Sequence, residues 1–149
     1  MLISTFLLED QADIRDALVD GMQEYAPVRF IGMAETEDSA KKWLSANDSQ
    51  WELLIVDIFL AQGSGMNVLK DCQSRSPRQK VVVLTSHTEE HLLRRCRELG
   101  ADAVFDKTHD VDKLVDFCKD HAASLYSPGG KEQPAEACRT ATQDTLDSA

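Results

Sequence analysis

The chain has 149 residues, a formal net charge of -10 and a pI near 4.7, which suits one domain with a sizeable core and is too short for two ordinary ones. The acidic balance argues against nucleic acid as a partner, because proteins that bind a phosphate backbone carry a basic patch. No apolar run approaches the ~20 residues of a membrane span.

The four cysteines are widely scattered and show no short metal-ligand pairing, which is typical of reduced, small core residues in a cytoplasmic protein; they are Cys72, Cys96, Cys118 and Cys138. The opening run Met1–Leu8 lacks a basic segment and meets Glu9 directly, so it predicts a first strand rather than a signal peptide. We therefore expect a soluble, cytoplasmic protein without a membrane segment.

After this strand, apolar residues at helical spacing predict an amphipathic helix that ends before Pro27, with Asp10 or Asp13 as its amino-terminal cap. Val28–Ala34 predicts the second strand, and Thr36 the cap of the second helix.

The third predicted strand, Trp51–Asp57, is an almost unbroken apolar run that ends in a carboxylate. Such runs are typical of strands buried on both faces of a parallel sheet. A glycine-containing loop, Phe59–Gly65, precedes a third helix that stops near Pro77, and Lys80–Thr85 predicts the fourth strand.

The Ser86–Glu89 segment matches a capping box ahead of a fourth helix, for which Gly100 is the stop. Ala101–Asp106 predicts a fifth strand, and apolar residues from Val111 to Leu125 predict a fifth helix. Beyond residue 126 the composition turns polar and almost loses large apolar residues, so we expect residues 127–149 to form a disordered tail after a domain of residues 1–126.

Five strands alternating with five helices predict an α/β fold, in which a five-stranded parallel, doubly wound sheet has helices on both faces and the flavodoxin-like strand order 2-1-3-4-5. In this fold, the residues at the carboxyl ends of strands one, three, four and five meet at one edge. They are Glu9, Asp10, Asp57, Thr85, Ser86 and Lys107.

Three carboxylates at one edge would raise one another's pKa unless they shared a cation, and hard oxygen ligands suit Mg²⁺. Asp57 beside Mg²⁺ could act as a nucleophile toward phosphorus and form an acyl phosphate. Lys107 and Thr85 could then supply the cation and the hydroxyl donor that phosphoryl transfer requires.

In their joint order and spacing, these residues, together with Gly65 and the Gly100-Ala101-Asp102 run, resemble the CheY-like receiver domain of two-component response regulators over about residues 1–125. The resemblance implies that a sensor histidine kinase or a histidine phosphotransfer protein phosphorylates Asp57. It also implies that Mg²⁺ is held by Asp10, Asp57 and the backbone carbonyl of Phe59, with Glu9 acting through water.

The same resemblance implies roles for the residues that line the phosphate site. Thr85 would bond one phosphoryl oxygen and Lys107 another, while the small Ser86 would leave the site open to the donor. His87 and Phe59 would control the access of water to the acyl phosphate, although an ordinary solvated histidine is an equally open reading of His87.

Three positions depart from the family pattern, and one is Thr108, where many members carry a proline, so no cis peptide is expected there. Val104 stands where the family usually has an aromatic switch residue, and the nearby aromatic, Phe105, should face the other side of the sheet. Ala61 stands where many members carry a loop proline, so the loop should be less constrained.

The resemblance predicts a signalling switch rather than an enzyme. Its output would be protein–protein contact through the fourth helix, fifth strand and fifth helix, with no DNA-binding output segment following, and a homodimer is left open. Two alternatives remain. One is a receiver-like interaction module that is not phosphorylated, and the other is a Mg²⁺-dependent phosphotransferase or phosphatase, which the short loops disfavour.

Overall fold

A computed structural model describes residues 1–126 of the chain. The strands are β1 (Ile3–Leu8), β2 (Val28–Ala34), β3 (Leu53–Val56), β4 (Lys80–Thr85) and β5 (Ala103–Asp106). The helices are α1 (Ala12–Tyr25), α2 (Glu37–Ala46), α3 (Gly65–Asp71), α4 (Glu90–Glu98) and α5 (Val111–Tyr126). The predicted tail, 127–149, lies outside the described residues, so its disorder stays a prediction.

The five strands form one parallel sheet in the order β2-β1-β3-β4-β5, which confirms the predicted topology. The apolar run of β3 is buried throughout, as its position at the centre of the sheet requires. Side chains alternate between the two faces of each strand. One face packs with α2, α3 and α4 around Phe6, Leu54, Val56 and Val83.

The other face of the sheet carries a second set of fully buried apolar side chains, which by alternation point away from the first core. The strand members of this set are Ile3, Leu7, Leu53, Ile55, Val82 and Leu84. Buried residues of α1 and α5, such as Leu18, Met22 and Leu114, are absent from the first core and complete this second layer. Helices therefore cover both faces.

The chain divides into two compact units. One runs from Leu2 to Lys119 and contains the whole sheet, and the described part of the other consists of Met1 and residues 120–126. The predicted domain boundary at residue 126 stays a prediction. The three described cysteines are free and buried, and among residues 1–126 none of the helices is long and apolar enough to cross a membrane.

Two predicted caps are wrong. Helix α1 begins after Gln11 without a side-chain cap, because Asp10 instead accepts a hydrogen bond from the Ala61 amide across the site. Helix α4 begins after Glu89, again without a side-chain cap, and the residues of the proposed capping box precede it as a loop. The predicted Thr36 cap of α2 is confirmed, with Ser39 as its reciprocal partner.

Gly65, the first residue of α3, lies against the backbone of the two residues that follow β3. Its amide donates to the Ile58 carbonyl at 2.9 Å, and a Cβ on Gly65 would overlap the backbone of Asp57 and Ile58. No side chain fits between these backbone segments. The start of α3 is thereby held directly against the end of β3.

The mutation Gly65→Ala should lower the free energy of unfolding by about 1–3 kcal/mol, because the overlap with rigid backbone forces a shift. Gly21 provides the matched control, since it lies inside α1 with nothing within 4 Å of a Cβ. There, Gly21→Ala should raise stability by about 0.5–1 kcal/mol. Chemical denaturation of both variants measures the difference, and equal effects would contradict the packing argument.

Candidate functional site

The site lies at the carboxyl edge of the sheet, where backbone hydrogen bonds continue one residue beyond the strands. The Asp57 amide donates to the Leu8 carbonyl, and the Lys107 amide donates to the Thr85 carbonyl, each at 3.0 Å. Leu8 is in register with Val56, and Thr85 with Asp106. The residues that follow these strands are therefore brought side by side.

Lys107 is the centre of this group. Its Nζ lies 2.7 Å from Glu9 Oε1 and 2.9 Å from Asp57 Oδ2. The side chain of Glu9 is 1% exposed, that of Asp57 7% and that of Lys107 11%. A single cation thus bridges two carboxylates that have almost no contact with solvent.

Burial controls the ionisation of these groups. Burial raises the pKa of the Asp57 carboxyl above its usual value, and the hydrogen bond from Lys107 only partly opposes it. The pKa of Glu9 is raised in the same way. Burial alone would lower the pKa of Lys107, but its hydrogen bonds to Glu9 and Asp57 outweigh this and raise it. The lysine is therefore charged at neutral pH.

Asp10 completes an acidic cluster. One ligand atom from each of Glu9, Asp10 and Asp57 can be chosen so that all three lie within 4.8 Å of one another. Asp10 Oδ2 accepts from the Ala61 amide at 2.7 Å. Within residues 1–126, Asp10 Oδ1 is the buried side-chain oxygen or nitrogen without a hydrogen-bond partner.

These oxygens fit a hard divalent cation. Asp10 Oδ1 is oriented inward with no other partner, and oxygen ligands with room for water suit Mg²⁺. Glu9 and Asp57 each meet Lys107 through one oxygen, and the other oxygen of each accepts from a backbone amide, which for Glu9 Oε2 is that of Gln11. Asp57 Oδ1 accepts from the Phe59 amide at 3.2 Å.

The remaining predicted residues surround this cluster. Thr85 is fully buried, and its Oγ1 accepts from the His87 amide at 3.0 Å, a bond that does not use the hydroxyl hydrogen. Ser86 and His87 are exposed. The centroids of the Phe59 and His87 rings lie 4.1 Å apart, with 46° between the ring planes. The structure therefore brings together two residues whose pairing the sequence could only suggest.

The fifth strand separates its two candidate switch residues. Val104 packs against the core that contains α2, α3 and α4. The Phe105 ring instead meets the Phe117 ring of α5 edge to face, with the ring centroids 6.1 Å apart. The predicted placement of Val104 and Phe105 on opposite faces is confirmed. An aromatic side chain is therefore present on β5, but it faces α5 rather than the α4 side.

Sequence reasoning missed two contributors to the site. Ala61 anchors Asp10 through its amide, a bond that a proline at this position could not make. Glu37, the first residue of α2, accepts from the Ser64 amide at 2.9 Å. Its sequence signal was only that of an acidic residue in a first helical turn, which is typical of any helix.

Comparison with known proteins places the chain in context. The family model for the response regulator receiver domain matches residues 5–119. The transcriptional regulatory protein CitB of Klebsiella pneumoniae is 27% identical over 104 residues, covering 70% of this chain and 42% of CitB. The DNA-binding transcriptional activator DevR/DosR of Mycobacterium tuberculosis is 25% identical over 122 residues, covering 82% of this chain and 55% of that protein.

The chain thus spans about half the length of these curated relatives. Among solved structures, the response regulator domain of Thermotoga maritima CheB is similar with a TM-score of 0.70 and 20% identity, covering 86% of this chain and 100% of that domain. At that identity the likeness concerns the fold. Since the family model covers most of the chain, from the middle of β1 into α5, this protein belongs to the response regulator receiver domain family.

Proposed function

We propose that this chain is a phosphorylation-dependent switch in which Asp57 accepts a phosphoryl group from a histidine kinase or a histidine phosphotransfer protein. The observation that carries the proposal is the position of Asp57 between Lys107 Nζ, 2.9 Å away, and the acidic cluster in which Asp10 Oδ1 has no partner. Receiver domains generally act as switches and bind Mg²⁺ at such an acidic pocket.

In the proposed reaction, an Asp57 oxygen attacks the phosphorus of a phosphohistidine. A P–O bond forms while the P–N bond breaks, and the imidazole leaves with the electron pair. Mg²⁺, when bound, neutralises charge on the transferred oxygens. Lys107 pairs with one phosphoryl oxygen and Thr85 donates its hydroxyl to another, while Ser86 leaves the approach open. Asp10, Asp57 and the Phe59 carbonyl would hold the metal, and Glu9 would act through water.

The output of this switch is a protein contact at the face formed by α4, β5 and α5. Phosphorylation would shift the population of two arrangements of this face rather than create a new one. Val104 has no aromatic ring, so the proposed coupling does not use an aromatic switch at this position. A cytoplasmic location, a homodimer and the output of the whole protein stay proposals.

Phosphorylation should be detectable directly. With Mg²⁺ and acetyl phosphate, the full chain should gain one phosphoryl group, and Asp57→Asn should gain none because the nucleophilic oxygen is replaced by an amide nitrogen. Intact-mass spectrometry measures the addition, and a chelator should abolish it. If the wild type gains no phosphoryl group from either acetyl phosphate or a phosphorylated kinase, the interaction module is favoured. If the protein hydrolyses unrelated phosphoesters, an enzyme is favoured.

Metal binding should depend on Asp10. The mutation Asp10→Asn should weaken Mg²⁺ binding about tenfold or more, equivalent to ~1.4 kcal/mol, because it removes the charge of the carboxylate whose Oδ1 lacks a partner. Asp13→Asn is a control of equal charge change, since Asp13 hydrogen-bonds the Ile14 amide within α1. Titration calorimetry compares the two, and equal affinities would contradict the assignment.

The Phe59–His87 ring pair is proposed to govern the lifetime of the acyl phosphate by limiting the approach of water. Phe59 is 48% exposed, so a large apolar side chain lies at the rim of a polar site, where it could limit the access of water. We expect His87→Ala or Phe59→Ala to change the autodephosphorylation rate several-fold, as measured by loss of the phosphorylated species after dilution of the donor. Unchanged decay in both variants would show that His87 is only a solvated histidine.

A further inference from the structure

The loop between β3 and α3, residues 59–64, carries both the Phe59 carbonyl and the Ala61 amide that anchors Asp10. It is closed at its base by the Gly65 amide, which donates to the Ile58 carbonyl at 2.9 Å, and by a bridge between Phe59 and Ser64. Further restraint on the loop comes from Asp10, which accepts from the Ala61 amide, and from α2, which contacts both Gln62 and Ser64.

The contact with α2 is made by Glu37. Its Oε1 accepts from the Ser64 amide at 2.9 Å and from the Asn67 side-chain amide at 3.1 Å. The Glu37 amide donates to the Gln62 carbonyl at 3.2 Å. One residue of α2 therefore contacts both the loop and the first turn of α3.

Gly63 allows this close approach. Its φ of 90° lies in the left-handed region, and a Cβ there would overlap Glu37 Cβ. Lys41, one turn further along α2, lies 2.8 Å from Glu37 Oε2 and 3.4 Å from Asp71 on α3. The hydrogen bonds from Lys41, Ser64 and Asn67 lower the pKa of Glu37 to about 2, so the carboxylate is ionised and fully engaged at neutral pH.

We propose that Glu37 is a positioning residue for phosphorylation of Asp57: by holding the loop at Ser64 it places the Phe59 carbonyl and the Ala61-anchored Asp10 for the metal. The inference rests on the proposed function. In this proposal Glu37 contacts neither the phosphoryl group nor the metal. It acts by fixing the position of the loop backbone, residues 59–64. Its loss should impair metal binding without removing any ligand.

The test compares Glu37→Ala with two controls of equal charge change in the full chain. Asp38→Ala lies in the same first turn of α2 and reports any effect of helix charge. Asp71→Ala removes the other partner of Lys41 but leaves the loop contacts of Glu37 in place. Glu37→Gln retains an oxygen that can accept from the Ser64 amide, so it should restore the wild-type behaviour.

We expect Glu37→Ala to weaken Mg²⁺ binding about three- to tenfold, the range for loss of a hydrogen bond, as measured by titration calorimetry with MgCl₂. Hydrogen exchange at the Ala61 and Ser64 amides should rise by a similar factor, while exchange in the β3 core stays unchanged. The phosphorylation rate with acetyl phosphate should fall at limiting Mg²⁺ and recover at saturating Mg²⁺. Both controls should remain within twofold of wild type.

The inference is overturned if Glu37→Ala matches Asp38→Ala and Asp71→Ala in Mg²⁺ affinity and in exchange at Ala61 and Ser64. It is also overturned if exchange rises throughout the sheet, because the residue would then stabilise the fold in general. If Glu37→Ala fails to fold, Glu37→Gln provides the test. Weakened Mg²⁺ binding in Glu37→Gln would contradict the positioning role, because this variant keeps an oxygen that accepts from the Ser64 amide. A wild type that takes up no phosphoryl group would defeat the proposed function alone, since calorimetry and exchange still decide the role of Glu37.

Discussion

Lys107 lies between two carboxylates that are almost completely removed from solvent, 2.7 Å from Glu9 and 2.9 Å from Asp57. Buried carboxylates without a counter-charge would take up protons, and the pKa of each is already raised by burial. The lysine offsets this cost in an environment where removing one partner of a buried pair is strongly destabilising. The rest of the site depends on this arrangement, because it orients Asp57 and occupies one oxygen of Glu9.

The parallel sheet makes this meeting possible. The three residues of this group each follow the last residue of a different strand: Glu9 follows β1, Asp57 follows β3 and Lys107 follows β5. Backbone bonds to Ala34, Leu8 and Thr85 hold these residues in line with their neighbours. The phosphoryl transfer proposed for Asp57 would rely mainly on positioning and electrostatic stabilisation, and backbone bonds at the sheet edge favour such positioning. The loop after β3 is the less regular part, and its restraints come from Asp10 and Glu37.

The fifth strand is where this chain differs from the pattern of its family. Val104 joins the core with α2, α3 and α4, while the Phe105 ring rests against Phe117 of α5. A rotating aromatic beside Thr85 is therefore not available at position 104. Lys107 follows β5 directly and its amide donates to the Thr85 carbonyl, so β5 and β4 are linked at the site itself.

The sequence by itself determined the order of the elements, the order of the strands and the group of residues at the carboxyl edge. Apolar periodicity is a local property, and the topology of an alternating α/β chain brings strand ends together whatever their side chains do. The ends of the strands and the caps of α1 and α4 were less predictable, because Asp10 bonds Ala61, 51 positions away, rather than its own helix. Only the tertiary structure decided which oxygens are occupied, that the tilted rings of Phe59 and His87 meet, and that Glu37 accepts from the Ser64 amide. These contacts depend on the orientation of side chains from distant segments, and no local pattern in the sequence encodes that orientation.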